Sequence, residues 1–388
     1  MYRTSYIKYS QKKGRMNKMF KVSIDLGYGY VKGVNSSNKK VLFPSIISKN
    51  IINDAPLDSL KGVFDENKKA KTIQDMEENL KISIANPANK TSFKFKVGKA
   101  AQLMSNASYL LDNNKIKSIE TNVLLAASSV LLFPEEEVPI YLITGLPISQ
   151  YKIQKEEFKN MLLRYKCIVS IPKCDVTKVI KFQKVDIIPQ GVGAVYNSVW
   201  KSIKEYTIPN TYIVYIDWGY KTIDYVVFAI TGDGMPKVQP QYSGSLNNGM
   251  YQIGLDANKI FEQKTGSLLE IADLNRLVSE GKIWYNGGFV AVTDELAEIK
   301  KERARKVAAT IRSNWADIIP KISTTFIGGG GGITMYEFLK DFFINSKLVS
   351  EAQMGNALGN LLIANIKEKM EEQSSKNVTY LKTANSND

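Results

Sequence analysis

Aspartates at the ends of apolar strands, each followed two residues later by a glycine, occur twice in this chain. The first lies in Ile24-Asp25-Leu26-Gly27-Tyr28-Gly29-Tyr30-Val31-Lys32. The second lies in Ile216-Asp217-Trp218-Gly219-Tyr220-Lys221-Thr222-Ile223-Asp224. Glycine lets successive backbone N–H groups turn toward an anion. A carboxylate at a strand end is placed to hold a hydrated Mg²⁺. Two such hairpins facing each other would clamp a nucleoside triphosphate between two halves of a molecule. One alone would be ordinary turn chemistry.

A third segment adds to this pattern. Phe326-Ile327 runs into five glycines, Gly328 to Gly332, followed by Ile333-Thr334-Met335-Tyr336-Glu337-Phe338-Leu339. A flexible linker would mix glycine with serine and lack a strand before it and an apolar helix after it. Glycines in this setting let a backbone lie flat against a ligand and open a helix N-terminus.

The order of these motifs resembles the actin-like ATPase superfamily, from about Met19 to about Met370. By that resemblance, Asp25 to Lys32 is phosphate loop 1, with Gly27, Tyr28, Gly29 and Tyr30 at the nucleotide and Lys32 on the β-phosphate. Asp217 to Asp224 is phosphate loop 2, with Gly219, Tyr220, Lys221 and Thr222 at the nucleotide. Gly330, Gly331, Gly332, Ile333, Met335 and Tyr336 belong to the adenosine loop. Ile188-Pro189-Gln190-Gly191-Val192-Gly193-Ala194 is similar to the segment joining the two halves, where the family places the residue that orients the attacking water. Thr144-Gly145-Leu146-Pro147, and Gln353 to Asn360 with its Asn-Ala-x-Gly pattern, resemble the plasmid-segregation actins of the ParM/StbA group. The departures are Tyr28, where loop 1 often has a small hydroxyl residue, and Tyr220 and Lys221 in place of small residues in loop 2. The direction of Lys221, to solvent or to phosphate, stays open.

The resemblance implies an α/β fold of the actin-like (ribonuclease H-like) type, with two domains facing a nucleotide cleft and a subdomain inserted in each. It implies Mg²⁺ held near Asp25 and Asp217 mostly through water, and ATP or GTP as the nucleotide. Gln190 would orient the attacking water by positioning, since a neutral amide is not a strong base. Asp224 is a second candidate for that role, or a carboxylate satisfied by nearby backbone. The activity expected is Mg-dependent nucleotide hydrolysis coupled to filament formation, serving plasmid segregation through a DNA-binding adaptor protein. A small-molecule kinase of sugar or acetate type shares the fold, as does a cytoskeletal actin outside segregation. A kinase would usually carry a cleft aspartate as base, and none stands out in residues 144–217.

Composition limits the alternatives. The chain has 388 residues, enough for two domains with sizeable cores, and no histidine, which removes histidine metal sites and histidine-dependent nucleophilic catalysis. Its two cysteines, Cys167 and Cys174, read as lone thiols of a reducing cytosol. No apolar run is long enough for a membrane span, and the basic N-terminus lacks the apolar core of a secretion signal, so a cytoplasmic protein is expected. The net charge of +14 favours polyanions without any motif for sequence-specific nucleic-acid binding. Lys300 to Lys306 reads as the wet face of a helix whose other side carries Leu296, Ile299, Val307 and Ile311.

Apolar periodicity and breakers organise the chain as follows. Residues 1–18 read as a disordered basic extension. Domain I spans 19–203, with an insertion at about 45–115. Domain II spans 204–372, with a mainly helical insertion at about 255–316. A closing helix, 351–372, returns to domain I, and 373–388 read as a disordered tail. Within domain I a single strand is expected over 178–187 and a helix over 191–203.

Overall fold

The computed structural model describes residues 19–49, 73–86, 91–102, 104–112, 114–234 and 236–384. The extension 1–18 and part of the first insertion lie outside the described residues.

Two α/β domains repeat one plan. In domain I the strand Phe20–Leu26 forms an antiparallel hairpin with Tyr30–Asn35, continues to Lys40–Pro44, and lies parallel to Ile140–Leu146, which is parallel in turn to Lys184–Pro189. In domain II the strand Tyr212–Trp218 pairs antiparallel with Ile223–Ile230 and parallel with Ile322–Gly328, which is followed by Ser346–Leu348. The first strand of each sheet is central, so its side chains are covered on both faces. Every residue of Val22–Leu26 is buried. The helix Ile119–Leu132, capped by Ser118, packs against this sheet, and the C-terminal helix packs against the same strands as well as Ile140–Leu146.

Each sheet has its own apolar core. Val22, Ile24, Val31 and Leu142 belong to the first, and Val214, Ile216, Trp218 and Ile327 to the second. A third cluster, with Ile143, Ile188, Val195, Tyr215 and Phe326, joins the domains beneath the cleft.

The insertions stand above the sheets. The first contributes Ile46–Lys49, Lys81–Asn86, Thr91–Val97 and Ser108–Tyr109 to a six-stranded sheet completed by Lys166–Ile171 and Val176–Lys181. The second holds the helices Met250–Thr265, Ile271–Glu280 and Thr293–Asn314 and a hairpin, Lys282–Tyr285 with Gly288–Ala291.

Three sequence expectations change. The single strand over 178–187 is two strands in two different sheets, Val176–Lys181 and Lys184–Pro189, because the chain turns at Phe182-Gln183 to bring Lys184 beside Tyr141. The helix expected over 191–203 is α-helical only over Val192–Val199, then tightens to a 3₁₀ turn at Trp200–Ser202. The closing helix begins at Gly355, not 351, and runs to Ala384, not 372; only 385–388 of the expected tail lie outside the described residues.

The closing helix crosses Val192–Val199 at glycine. A Cβ on Gly359 would run into the backbone carbonyl of Gly193, so the two helices meet backbone to backbone. This contact joins the segment between the domains to the last helix.

Candidate functional site

Between the domains lies a cleft of about 410 Å³, within the range of small-molecule sites. Its floor is made by the two hairpins. Their registers are equivalent: Asp25 is paired with Lys32 in the first and Asp217 with Asp224 in the second. The two strand ends therefore present four charged side chains at matching positions, three acidic and one basic.

The charges are tied together by specific bonds. Lys32 Nζ lies 3.2 Å from Asp25 Oδ2. Gln190 Nε2 donates to Asp25 Oδ1 at 3.0 Å. Asn356 Nδ2 donates to Asp217 Oδ2 at 2.6 Å, while its Oδ1 accepts the Gly191 N–H at 2.9 Å. Thr222 Oγ1 donates to Asp224 Oδ2 at 2.9 Å, and Ser245 donates to Asp224 Oδ1.

Electrostatics follow from this crowding. Asp217 is pushed up to about 7, by burial first, then by Asp224 and Asp25, against the opposing pull of Lys32 and the Asn356 amide. Its side chain still meets the open cleft, so a bound cation could reach it. Asp224 is raised by burial despite hydrogen bonds from Ser245, Thr222 and the Ile148 backbone. Lys32 is held above the ordinary lysine range because Asp25 and Asp217 outweigh its burial.

The donor set suits a hydrated cation. Among the described residues no group of three or more carboxylate or thiol side chains is arranged to cage a metal ion. Two carboxylates across an open cleft fit Mg²⁺, which keeps several waters and takes the rest of its oxygens from phosphate. A cation there would offset the acidic excess that raises Asp217.

Glycine shapes the opposite wall. The strand Ile322–Gly328 is followed by Gly329, whose φ of 82° lies in the left-handed region, and a helix begins at Gly330. A Cβ at Gly329 would also meet the Asp217 carboxylate and the Trp218 carbonyl. Because the following glycines are helical, successive residues rotate by about 100° and only one face reaches the cleft. Gly330, Gly331 and Thr334 line it.

The expected site residues therefore divide. Asp25, Gly27, Tyr28, Gly29, Tyr30, Lys32, Gln190, Asp217, Gly219, Tyr220, Thr222 and Asp224 border the cleft together with Gly330 and Gly331. Gly332 faces Ile327, Ile333 is about half exposed, Met335 is in the second core, and the Tyr336 hydroxyl donates to the Ser346 carbonyl at 3.1 Å. Lys221 does not line the cleft; it donates to the Leu111 carbonyl of domain I. Lys300 is not on a wet face but lines the cleft, and burial lowers its pKa. Arg303 is likewise turned inward, with its Nε donating to Asp256 at 2.9 Å.

Sequence reasoning missed Asn356, although it opens the Asn-Ala-x-Gly pattern. It also missed Asn275, Ser279 and Tyr109 on the upper walls, which carry no local motif. Among the described residues no helix is long and apolar enough to cross a membrane.

Comparisons with known proteins bear on the family and the fold. Residues 23–193 match the family of actin-like protein N-terminal domains, and residues 215–341 match the C-terminal domain of the archaeal MreB-like actin homologue. A ParM from a 15-stranded filament of Clostridium botulinum is 30% identical, with a TM-score of 0.81, over 90% of this chain and 99% of that one. A non-polymerisable quadruple mutant of pCBH ParM is also 30% identical, with a TM-score of 0.80 and the same coverage. An archaeal actin homologue in complex with ADP shares the fold at 20% identity, with a TM-score of 0.70 over 89% of this chain and 99% of that one. No curated protein matches the sequence.

Proposed function

The chain belongs to the actin-like ParM family, and from that premise we propose that it is a Mg-dependent nucleotide hydrolase whose turnover governs its own assembly into filaments. The observation that carries this reading is the pair of equivalent hairpins that bring Asp25 and Asp217 to one cleft from two domains.

The roles follow from position. Backbone N–H groups around Gly27, Gly29 and Gly219 face the phosphates, and Lys32 supplies the positive charge. Asp25 and Asp217 would hold Mg²⁺ through its waters, and a bound ion would supply positive charge to the phosphate oxygens. Gln190, fixed by Asp25, orients a water; Asp224 acts mainly by holding its own hairpin. Gly330, Gly331 and Thr334 form the wall toward the rest of the nucleotide, ATP or GTP. Gly332, Met335 and Tyr336 support that wall from behind, while Ile333 is half exposed.

Assembly follows from shape. Two domains closing on a nucleotide present a different surface from the open form, and a head-to-tail contact that does not close propagates as a helix. The net charge of +14 makes like-charged subunits depend on counterions, so assembly is salt-sensitive. We assign the filament to cytoplasmic plasmid segregation through a DNA-binding adaptor, on family likeness alone.

Light scattering and pelleting with Mg-ATP, Mg-GTP and a non-hydrolysable analogue test the reading. Polymer that forms with triphosphate, persists with the analogue and disassembles after hydrolysis is the expected result. Asp217→Ala should nearly abolish phosphate release. Flat scattering at all nucleotides and salts would sink the filament, and unchanged turnover in a folded Asp217→Ala protein would remove the second hairpin from the chemistry.

A further inference from the structure

Tyr28 and Lys221 stand where phosphate loops usually carry small residues, and phosphate chemistry does not account for them. Lys221 leaves the second hairpin, in domain II, and reaches domain I. Its ammonium donates to the Leu111 carbonyl and lies 5.0 Å from the centre of the Tyr28 ring. A second ammonium, that of Lys115, lies 4.9 Å from the same ring and donates to the Leu26 carbonyl at 2.6 Å. The Tyr28 hydroxyl accepts a hydrogen bond from Gln150 Nε2 at 2.8 Å, which fixes the ring plane. An aromatic face attracts a cation through its quadrupole, so Tyr28 is built to receive an ammonium.

Neighbouring contacts cross the cleft beside it. The Tyr220 side chain covers Gly29, where an added Cβ would lie 2.7 Å from Tyr220 Cβ. Asp224 takes the backbone N–H of Ile148, the first residue of the helix Ile148–Arg164. That helix has Pro147 at its N-cap, with no side-chain cap of its own. The second hairpin thus grips the first domain at three places.

We propose that Lys221 is an interdomain clasp: by bonding Leu111 and stacking on Tyr28 it holds the two hairpins in register and sets how readily nucleotide enters and leaves. Any opening that draws the second hairpin away from domain I must carry Lys221 away from Leu111 and Tyr28. Losing the clasp therefore favours the open form. The kinetic half of this inference rests on the cleft being a nucleotide site; the geometric half does not.

The test uses the full chain with spin labels on cysteines placed at Lys94 and Lys301, both exposed and on opposite insertions, in a Cys174→Ser background. Interdomain distances are measured without nucleotide, and release of a fluorescent ADP is followed separately. Lys221→Met should broaden the distances toward longer values and speed release by about fivefold or more, the scale of one cation–π contact plus one hydrogen bond. Lys221→Arg should restore both, and Tyr28→Leu should reproduce the Met variant. Unchanged distances in Lys221→Met, or faster release without a distance change, would overturn the clasp, as would failure of arginine to rescue. If the parent binds no nucleotide yet the distances still broaden, the clasp stands and the nucleotide reading falls.

Discussion

Lys32 and Asp224 hold the same place in two copies of one hairpin. Lys32 is paired with Asp25 across the first, and Asp224 with Asp217 across the second. In the first hairpin the pairing is attractive, at 3.2 Å; in the second it sets one carboxylate against another. The second hairpin therefore carries electrostatic strain that the first does not, and Asn356 and Lys32 relieve only part of it.

Neutralising Asp224 should lower Asp217. In Asp224→Asn the amide can still meet Thr222, Ser245 and the Ile148 N–H after those hydroxyls rotate. The midpoint of Asp217, about 7 in the parent, should fall, yet stay above the ordinary carboxylate value because burial is its largest cause. Carboxyl-carbon NMR titration of the nucleotide-free protein reads this directly. An unmoved midpoint would mean that Asp224 and Asp217 are not electrically coupled.

Gln190→Ala should slow hydrolysis on the order of 10²-fold while leaving nucleotide affinity within a few-fold, as expected when only a positioning group is removed. The change takes one donor from Asp25 but leaves Lys32 beside it. Single-turnover rates and equilibrium binding separate the two effects. Affinity lost in parallel with rate would make Gln190 a structural support of Asp25.

Lys115 should contribute stability that rises with pH across the lower alkaline range. Lys115 is fully buried, and desolvation pushes its ammonium down to about 8 despite attraction from Asp25 and Asp224. In the unfolded chain a lysine titrates near 10.4. Between these values the unfolded state holds more protons, so the free energy of unfolding increases with pH. Lys178, also lowered to about 8 by burial, adds to the same slope. Urea unfolding at stepped pH should show a less positive slope in Lys115→Met than in the parent. A slope that is unchanged in the variant contradicts the burial argument.

Two glycine substitutions should have opposite signs. At Gly359 an added methyl meets the Gly193 backbone carbonyl, which cannot move without parting two helices, so Gly359→Ala should cost on the order of 3 kcal/mol. At Gly332, within the helix Gly330–Leu339, the nearest atom would be Ile327 Cγ2 at 3.7 Å, an ordinary contact. Gly332→Ala should therefore gain up to about 1 kcal/mol from helix propensity. Chemical denaturation of both variants decides, and a stable Gly359→Ala protein would show that the helix crossing is looser than drawn.

The sequence by itself determined the parts of this protein that depend on a few adjacent residues. Strand ends followed by Asp-x-Gly, a glycine run before an apolar helix, and the change from period two to period 3.6 are local signals, and they placed both hairpins, the glycine wall and most of the strands. Tertiary structure decided where side chains meet across distance. Asn356 bonds Asp217 from 139 residues away, Lys221 reaches Leu111 over 110, and Gln190 reaches Asp25 over 165. Lys300 faces the cleft instead of water because Thr293–Asn314 is packed against other elements on more than its apolar stripe, with Arg303 bound to Asp256. Only one face of the glycine-led helix reaches the cleft because helical rotation, set by how that helix seats on Trp218 and Ile327, turns its neighbours away. Local chemistry specifies what each segment is; the approach of distant segments specifies what each side chain touches.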